Sequence, residues 1–456
     1  MIYIKIIKYL NGFKTFFKGE ERTVKAKKNI LASILIKGID AIVYLLLVPV
    51  TLGYLNSYEY GIWLTLNSIL MWINSFDIGL GNGMRNKLAE AIALNDRALG
   101  RAYVSTTFIM LIILMGSFIV IGSILGTFIN WYAILNTSPI QVPNLSEIVY
   151  ISFVIFCLNF IFKFIGNVYL AMQLPAVNNL MVVLGHVLSL IIIYILTLTT
   201  TGSLLWVALV YSASPLFIYI IAYPITFKKI YPYLAPSFNY YNKKYLRNLF
   251  NVGVQFFILQ LSGILLFTFS NLLISHMFGP EYVTPYNIAY RYFSLVPMVM
   301  NLVLAPMWSA TTDAYAKGDI VWIKRTIKGI HKILFLATIA LIIMVVIAKY
   351  IYRVWIGTEI QIPLILSALI ALYSTIIIWS LSYSNFLNGL GKLRLQTINT
   401  VVVAIMFIPV CYILGLQWGI LGIVSGMCIL NTTGLILNRF QFIRIVENRA
   451  IGIWNK

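Results

Sequence analysis

Residues 52–96, LGYLNSYEYGIWLTLNSILMWINSFDIGLGNGMRNKLAEAIALND, decide how this chain is read. A short turn leads into an apolar span, then a glycine-rich break and a basic polar helix. A fainter copy recurs at 278–319, FGPEYVTPYNIAYRYFSLVPMVMNLVLAPMWSATTDAYAKGD. Gly53 aligns with Gly279 and Tyr60 with Tyr286 at one common spacing, roughly half the chain. After a slip of three residues, Glu90 meets Asp313 and Asp96 meets Asp319. Two related halves are a common plan for membrane transporters.

Composition sets the frame. The 456 residues are 61% hydrophobic and only 10% charged, against about 25% charged in soluble domains. A helical span needs roughly 20 apolar residues. On that rule spans are expected near 30–52, 60–80, 103–130, 147–170, 177–199, 203–227, 248–277, 284–309, 330–352, 362–387, 395–415 and 418–440. The expected fold is therefore an all-α integral membrane protein of about twelve transmembrane helices, in two pseudo-symmetric six-helix lobes around a central cavity. The segments are a basic amphipathic arm at 1–29, an N-lobe at 30–227, a linker at 228–247, a C-lobe at 248–441 and a tail at 442–456.

The net charge of +20 would fit nucleic acid if it were clustered on one surface. It alternates along the chain instead. Lys and Arg crowd the arm (Lys5 to Lys28), the second inter-span loop (Arg85, Lys87, Arg97, Arg101), the linker (Lys228, Lys229, Lys243, Lys244) and the tail (Arg439, Arg444, Arg449). The intervening loops 53–59, 131–146, 200–202 and 416–417 carry none. This is the positive-inside pattern, which puts both termini in the cytoplasm and gives no reason to expect a nucleic-acid partner. Ile2, Ile6, Leu10, Phe13 and Phe17 recur at helical spacing among lysines, as in a helix lying on anionic membrane lipids rather than a cleavable signal.

Enzymatic signatures are missing. Cys157, Cys411 and Cys428 fall inside apolar spans, and His186, His276 and His331 are scattered without metal-ligand spacing. There is no GxxxxGK[ST] loop for ATP. External acids are sparse, and every loop is short. No cofactor and no metal are expected.

Function should then reside in the charges that interrupt the spans, because an ionisable residue there costs roughly 2.5–3.5 kcal/mol on insertion scales. Lys37 and Asp40 share one helical face; either they neutralise each other or both line a cavity. Arg291, between Tyr290 and Tyr292, sits some eight residues into the eighth span. It either snorkels outward or serves an anion or sugar site. Lys163, in the cytoplasmic half of the fourth span, either snorkels inward or lines a cavity. Asp77, before GLGNGMR, either caps the polar helix or pairs with Arg85. Amides such as Asn271, Asn287 and Asn385 fit sugar hydroxyls or plain interhelical hydrogen bonds.

The run Leu52, Gly53, Glu59, Tyr60, Gly61, Asp77, Gly79, Leu80 and Arg85 resembles the N-terminal pattern of bacterial polysaccharide (O-unit) flippases. These are Wzx-type members of the multidrug/oligosaccharidyl-lipid/polysaccharide (MOP) exporter superfamily, whose fold is MATE- and MurJ-like. The resemblance implies translocation of an undecaprenyl-diphosphate-linked oligosaccharide to the outer leaflet of the bacterial cytoplasmic (inner) membrane, for O-antigen, capsule or another surface polysaccharide. It implies a cationic cavity, to which Arg291, Lys37 and Lys163 would contribute, and a polysaccharide polymerase and chain-length regulator as partners. Asp77, Gly79, Gly81 and Arg85 would form an inner gate or hinge. An H+ or Na+ gradient would drive transport, with Asp40 as the coupling carboxylate.

Two rivals differ in cargo. A MATE-like cation or drug antiporter would use Asp40, but Arg291, Lys37 and Lys163 would repel a cationic drug. A lipid-linked peptidoglycan or teichuronic precursor exporter would differ only in the sugar.

Overall fold

The computed structural model describes residues 21–71, 73, 80–172, 174–245 and 269–455, and all regular structure among them is helical. The helices in order are α1 (Glu21–Tyr54), α2 (Ser57–Leu70), α3 (Leu80–Ala93), α4 (Arg97–Gly126), the single turn α5 (Trp131–Ile134), α6 (Leu145–Ala171), α7 (Pro175–Thr199) and α8 (Leu204–Pro224). After a helical stretch at 269–278 come α9 (Pro280–Ala316), α10 (Ile320–Ile356), α11 (Leu364–Gly389) and α12 (Arg394–Val446). Eight of the described helices are long and apolar enough to cross a membrane. Many of their large side chains, among them Ile121, Ile124, Val346 and Tyr350, are exposed, as lipid-facing positions require. The chain is an all-helical, multi-pass membrane protein.

The count of spans is finer than the count of helices. α12 runs for 53 residues but breaks at Trp418 and Gly419, where Gly419 takes φ +62°. It is thus two antiparallel-capable legs, matching the expected spans 395–415 and 418–440. At the turn, a Cβ on Gly422 would fall on the Leu414 carbonyl, so only glycine lets the second leg fold back here. The expected span 248–277 lies largely outside the described residues, as do Asp77 and Gly79 of the expected hinge.

The repeat is visible in backbone detail. Asp96 caps α4 by accepting from Leu99 N at 2.9 Å, and Asp319 caps α10 by accepting from Trp322 N at 2.8 Å. Each aspartate follows a residue of positive φ, Asn95 at 57° and Gly318 at 74°. Each backbone N–H also returns to an alanine carbonyl, Ala91 or Ala314, at 2.9 Å. The two turns are the same device: a left-handed stop to one helix followed directly by an N-cap to the next. Other aligned pairs diverge. Gly279 has φ +113° at a helix break, while Gly53 lies in the last turn of α1 with no such demand.

The chain divides into two compact units that interleave in sequence. The first comprises 1–50, 76–129 and 147–257. In it the linker docks on α4: Arg101 Nε donates to Ala235 O at 2.9 Å and its guanidinium lies 4.3 Å from the Tyr240 ring centre. Ser105 and Thr106 hydroxyls accept from Ser237 N and Asn242 N, both at 3.1 Å. Gly185 of α7 lets Pro215 of α8 approach closely, since a Cβ there would lie 3.0 Å from the proline Cα.

The second unit comprises 51–75, 130–146 and 258–456. α2 therefore packs with the later helices rather than with its sequence neighbours. Asn56 starts it with a reciprocal cap, accepting from Glu59 N at 2.8 Å and donating to Glu59 Oε2 at 3.1 Å. A Cβ on Gly61 would collide with the Pro280 carbonyl at the start of α9, and Thr284 Oγ1 donates to Ser57 O at 2.7 Å. Tyr60 and Tyr286, aligned by the repeat, are both 1% exposed.

Candidate functional site

In the first unit, Asp40 of α1 is the residue with a specific partner. Its Oδ1 lies 2.6 Å from His186 Nδ1 of α7, and both side chains keep partial exposure, 26% and 32%. Of the two readings open from sequence, an ion pair of Asp40 with Lys37 is not formed. Lys37 is half-buried on the same helix. His186 was read as one of three scattered histidines; the signal that could have found it is the demand for a partner that any carboxylate inside a span makes.

Lys163 of α6 is exposed. Gly81 is buried at the start of α3, and Arg85 one turn later is exposed. Lys87 of the same helix bonds Glu90 Oε2 at 2.7 Å, and that hydrogen bond lifts its pKa above the ordinary lysine value. α3 thus presents a solvated charged face. Such exposed pairs contribute about 0–1 kcal/mol.

In the second unit, Arg291 is the central charge. It lies in α9 and is only 8% exposed, unlike Lys163. Its carbonyl accepts from Ser294 Oγ at 2.8 Å. Tyrosines flank it in sequence. Tyr290 packs with Tyr286 and Tyr373, at ring separations of 6.0 and 6.4 Å. Tyr292 donates to Met344 O at 3.3 Å and meets Tyr352 edge-on. Arg291 is thus a buried arginine rather than one extended toward a surface.

One turn before Arg291 on the same face is Asn287, the end of a buried polar ladder. Asn287 Nδ2 donates to Asn271 Oδ1 at 2.8 Å and to Val283 O at 3.0 Å. Asn271 Nδ2 donates to Ser68 Oγ of α2, which donates to Leu64 O at 2.7 Å. All three side chains are under 5% exposed. For these two amides the second of the readings open from sequence holds: they make interhelical hydrogen bonds that join α2 to α9.

Among the described residues no group of three or more His, Cys, Asp or Glu could hold a metal ion. Cys157, Cys411 and Cys428 are buried and free.

Comparison with known proteins places this arrangement. A family model described as polysaccharide biosynthesis protein matches residues 26–311. A protein of Yersinia pseudotuberculosis described as an O-antigen exporter is 21% identical over 384 residues, covering 83% of this chain and 87% of its own. A Salmonella typhi protein described as an O-antigen transporter is 23% identical over 410 residues, covering 87% and 90%. Among solved structures, a multidrug resistance MATE family transporter of the MOP superfamily, in an inward-facing conformation, superposes with a TM-score of 0.70 at 18% identity, covering 92% of this chain and 96% of that one. A MOP superfamily transporter from Pyrococcus furiosus, described as having a binding pocket of reversed polarity, superposes with a TM-score of 0.63 at 14% identity, with coverage of 92% and 96%.

Proposed function

The chain belongs to the polysaccharide biosynthesis protein family, and on that premise we propose that it is a transporter of the MOP exporter superfamily, a flippase for undecaprenyl-diphosphate-linked oligosaccharide. It carries the repeat unit of a surface polysaccharide from the cytoplasmic to the outer leaflet of the bacterial inner membrane by alternating access, with both termini in the cytoplasm. A polysaccharide polymerase and a chain-length regulator would act on the delivered units.

The observation that carries this reading is Arg291, 8% exposed within α9 and flanked in sequence by Tyr290 and Tyr292. A buried guanidinium repels a cationic drug but offers a planar, forked set of donors to a diphosphate. Lys37, half-buried in α1, supplies a second cation on the route. Lys163, being exposed, contributes less. The lipid tail stays in the bilayer while the sugar crosses with the headgroup.

Asp40 with His186 is the coupling element we propose. A carboxylate and an imidazole 2.6 Å apart can hold or release one proton between them, so an H+ gradient suits this pair better than Na+. Membrane potential adds about 2.3 kcal/mol per charge per 100 mV.

The test is complementation. In a strain lacking this chain, Arg291→Ala should fail to restore surface polysaccharide at normal protein level, Arg291→Lys should restore it in part, and Lys163→Ala should restore it nearly in full. Full restoration by Arg291→Ala rejects the assignment.

A further inference from the structure

A second polar feature lies between α11 and the two legs of α12. Ser380 and Ser384 of α11, Gln396, Asn399 and Thr400 of the first leg and Asn438 of the second line a cavity of about 190 Å³. None of the lining side chains is ionisable. The cavity therefore offers little to a diphosphate, which calls for cations, and lacks the carboxylates of a typical divalent-cation site.

Its hydrogen bonds leave groups over. Gln396 Nε2 donates to Ser384 Oγ at 2.6 Å, and Thr433 Oγ1 donates to Asn399 Oδ1 at 3.0 Å. Asn438 Nδ2 reaches Ser380 Oγ at 3.5 Å. The Gln396 Oε1 acceptor is buried with no partner among the described residues. Gly434, also lining, keeps the space open: a Cβ there would sit 3.3 Å from Asn399 Nδ2 and 3.6 Å from Ser380 Oγ. A buried amide oxygen without a partner is unfavourable, so a partner that donates to it is favoured. An open cavity edged by an unmet acceptor, an amide donor and several hydroxyls matches groups that both donate and accept, which sugar hydroxyls do.

We propose that this cavity is a sugar subsite, which reads the uncharged ring hydroxyls of the cargo while Arg291 holds its charge. The proposal rests on the reading of the chain as a transporter of lipid-linked oligosaccharide. It divides recognition in two: a charged site common to any polyprenyl diphosphate, and a neutral site that sets which sugar is accepted.

The experiment is a binding measurement on the full chain in lipid nanodiscs with two probes. One is bare undecaprenyl diphosphate. The other is lipid-linked oligosaccharide extracted from cells that lack this transporter. Wild-type protein should bind the oligosaccharide probe roughly tenfold or more tightly than the bare lipid, a difference worth about 1.4 kcal/mol. Gly434→Val, which fills the cavity, and Gln396→Leu, which removes the acceptor, should each erase most of that preference and leave binding of the bare lipid unchanged. Retained binding of the bare lipid also shows that the variants fold. The proposal is overturned if both variants keep the preference, if they lose both probes equally, or if the wild type shows no preference. Failure of the wild type to bind either probe would instead reject the transport reading from which it starts.

Discussion

Asp40 Oδ1 and His186 Nδ1, 146 residues apart in sequence, lie 2.6 Å from each other and tie α1 to α7. A hydrogen bond with a charged member is worth about 1.5–3 kcal/mol, and its two groups can exchange a proton. Asp40→Asn should leave downhill movement of cargo intact and abolish its acceleration by an imposed pH gradient. His186→Ala should do the same. Transport in reconstituted vesicles, with and without the gradient, decides this; undiminished acceleration in both variants would remove the pair from coupling.

The contact between Gly61 and Pro280 fixes α2 on α9. Because the obstructing atom is a backbone carbonyl, Gly61→Ala forces one helix away, at a cost of about 1–3 kcal/mol. Gly53→Ala is the control, with nothing within 4 Å of its added Cβ. The first variant should lower the melting temperature of the detergent-solubilised chain by several degrees, and the second should leave it within a degree or so.

Asn271 and Asn287 form the inner part of the ladder from Ser68. In a double-mutant cycle with leucine at each position, the coupling energy should fall near the 0.6–1.7 kcal/mol (approximate) found for hydrogen bonds between membrane helices. Either single variant should be the worse partner alone, since it strands the other amide. A coupling of zero would mean that the two amides act independently.

Glu59 gives a pH-dependent expectation. Burial lifts its carboxyl above the usual glutamate value, against a smaller opposing effect of the hydrogen bond from Asn56. The fold thus favours the protonated form. Its contribution to stability is present below the unfolded pKa of about 4.3 and is lost as pH rises through the folded value. Glu59→Gln, neutral and able to keep the Asn56 contact, should melt higher than wild type at pH 7, and the gain should shrink as pH falls below that value. Melting curves across pH 4 to 8 (approximate limits, chosen to bracket the glutamate range) check the sign.

Much of the fold was legible because the bilayer imposes length and apolarity on each span. The correspondence of Asp96 with Asp319 was legible as a repeat, while the helix cap that each forms appears only in the structure. Pairings across the fold left no mark in sequence. Nothing near Asp40 announces His186, while Lys37, three residues away, offered one partner on the same face. Asn271 and Asn287 left sugar contact and interhelical bonding both open because sequence does not say which helix each one meets. Lys163 and Arg291 are both single charges in apolar runs, and only the fold separates an exposed lysine from a buried arginine. Asp77 and Gly79 of the expected hinge fall outside the described residues.

The central claim is that a polyprenyl-diphosphate-linked oligosaccharide changes leaflet through this chain with Arg291 as its anion contact. Vesicles containing the lipid-linked oligosaccharide in both leaflets and the purified full-length protein can be exposed to membrane-impermeant periodate, which oxidises only sugars on the outside. With wild-type protein the inner-leaflet pool should become accessible over time, and with Arg291→Ala it should stay protected as in protein-free vesicles. An inner pool that remains protected with the wild type, or that empties equally with the variant, would contradict the account.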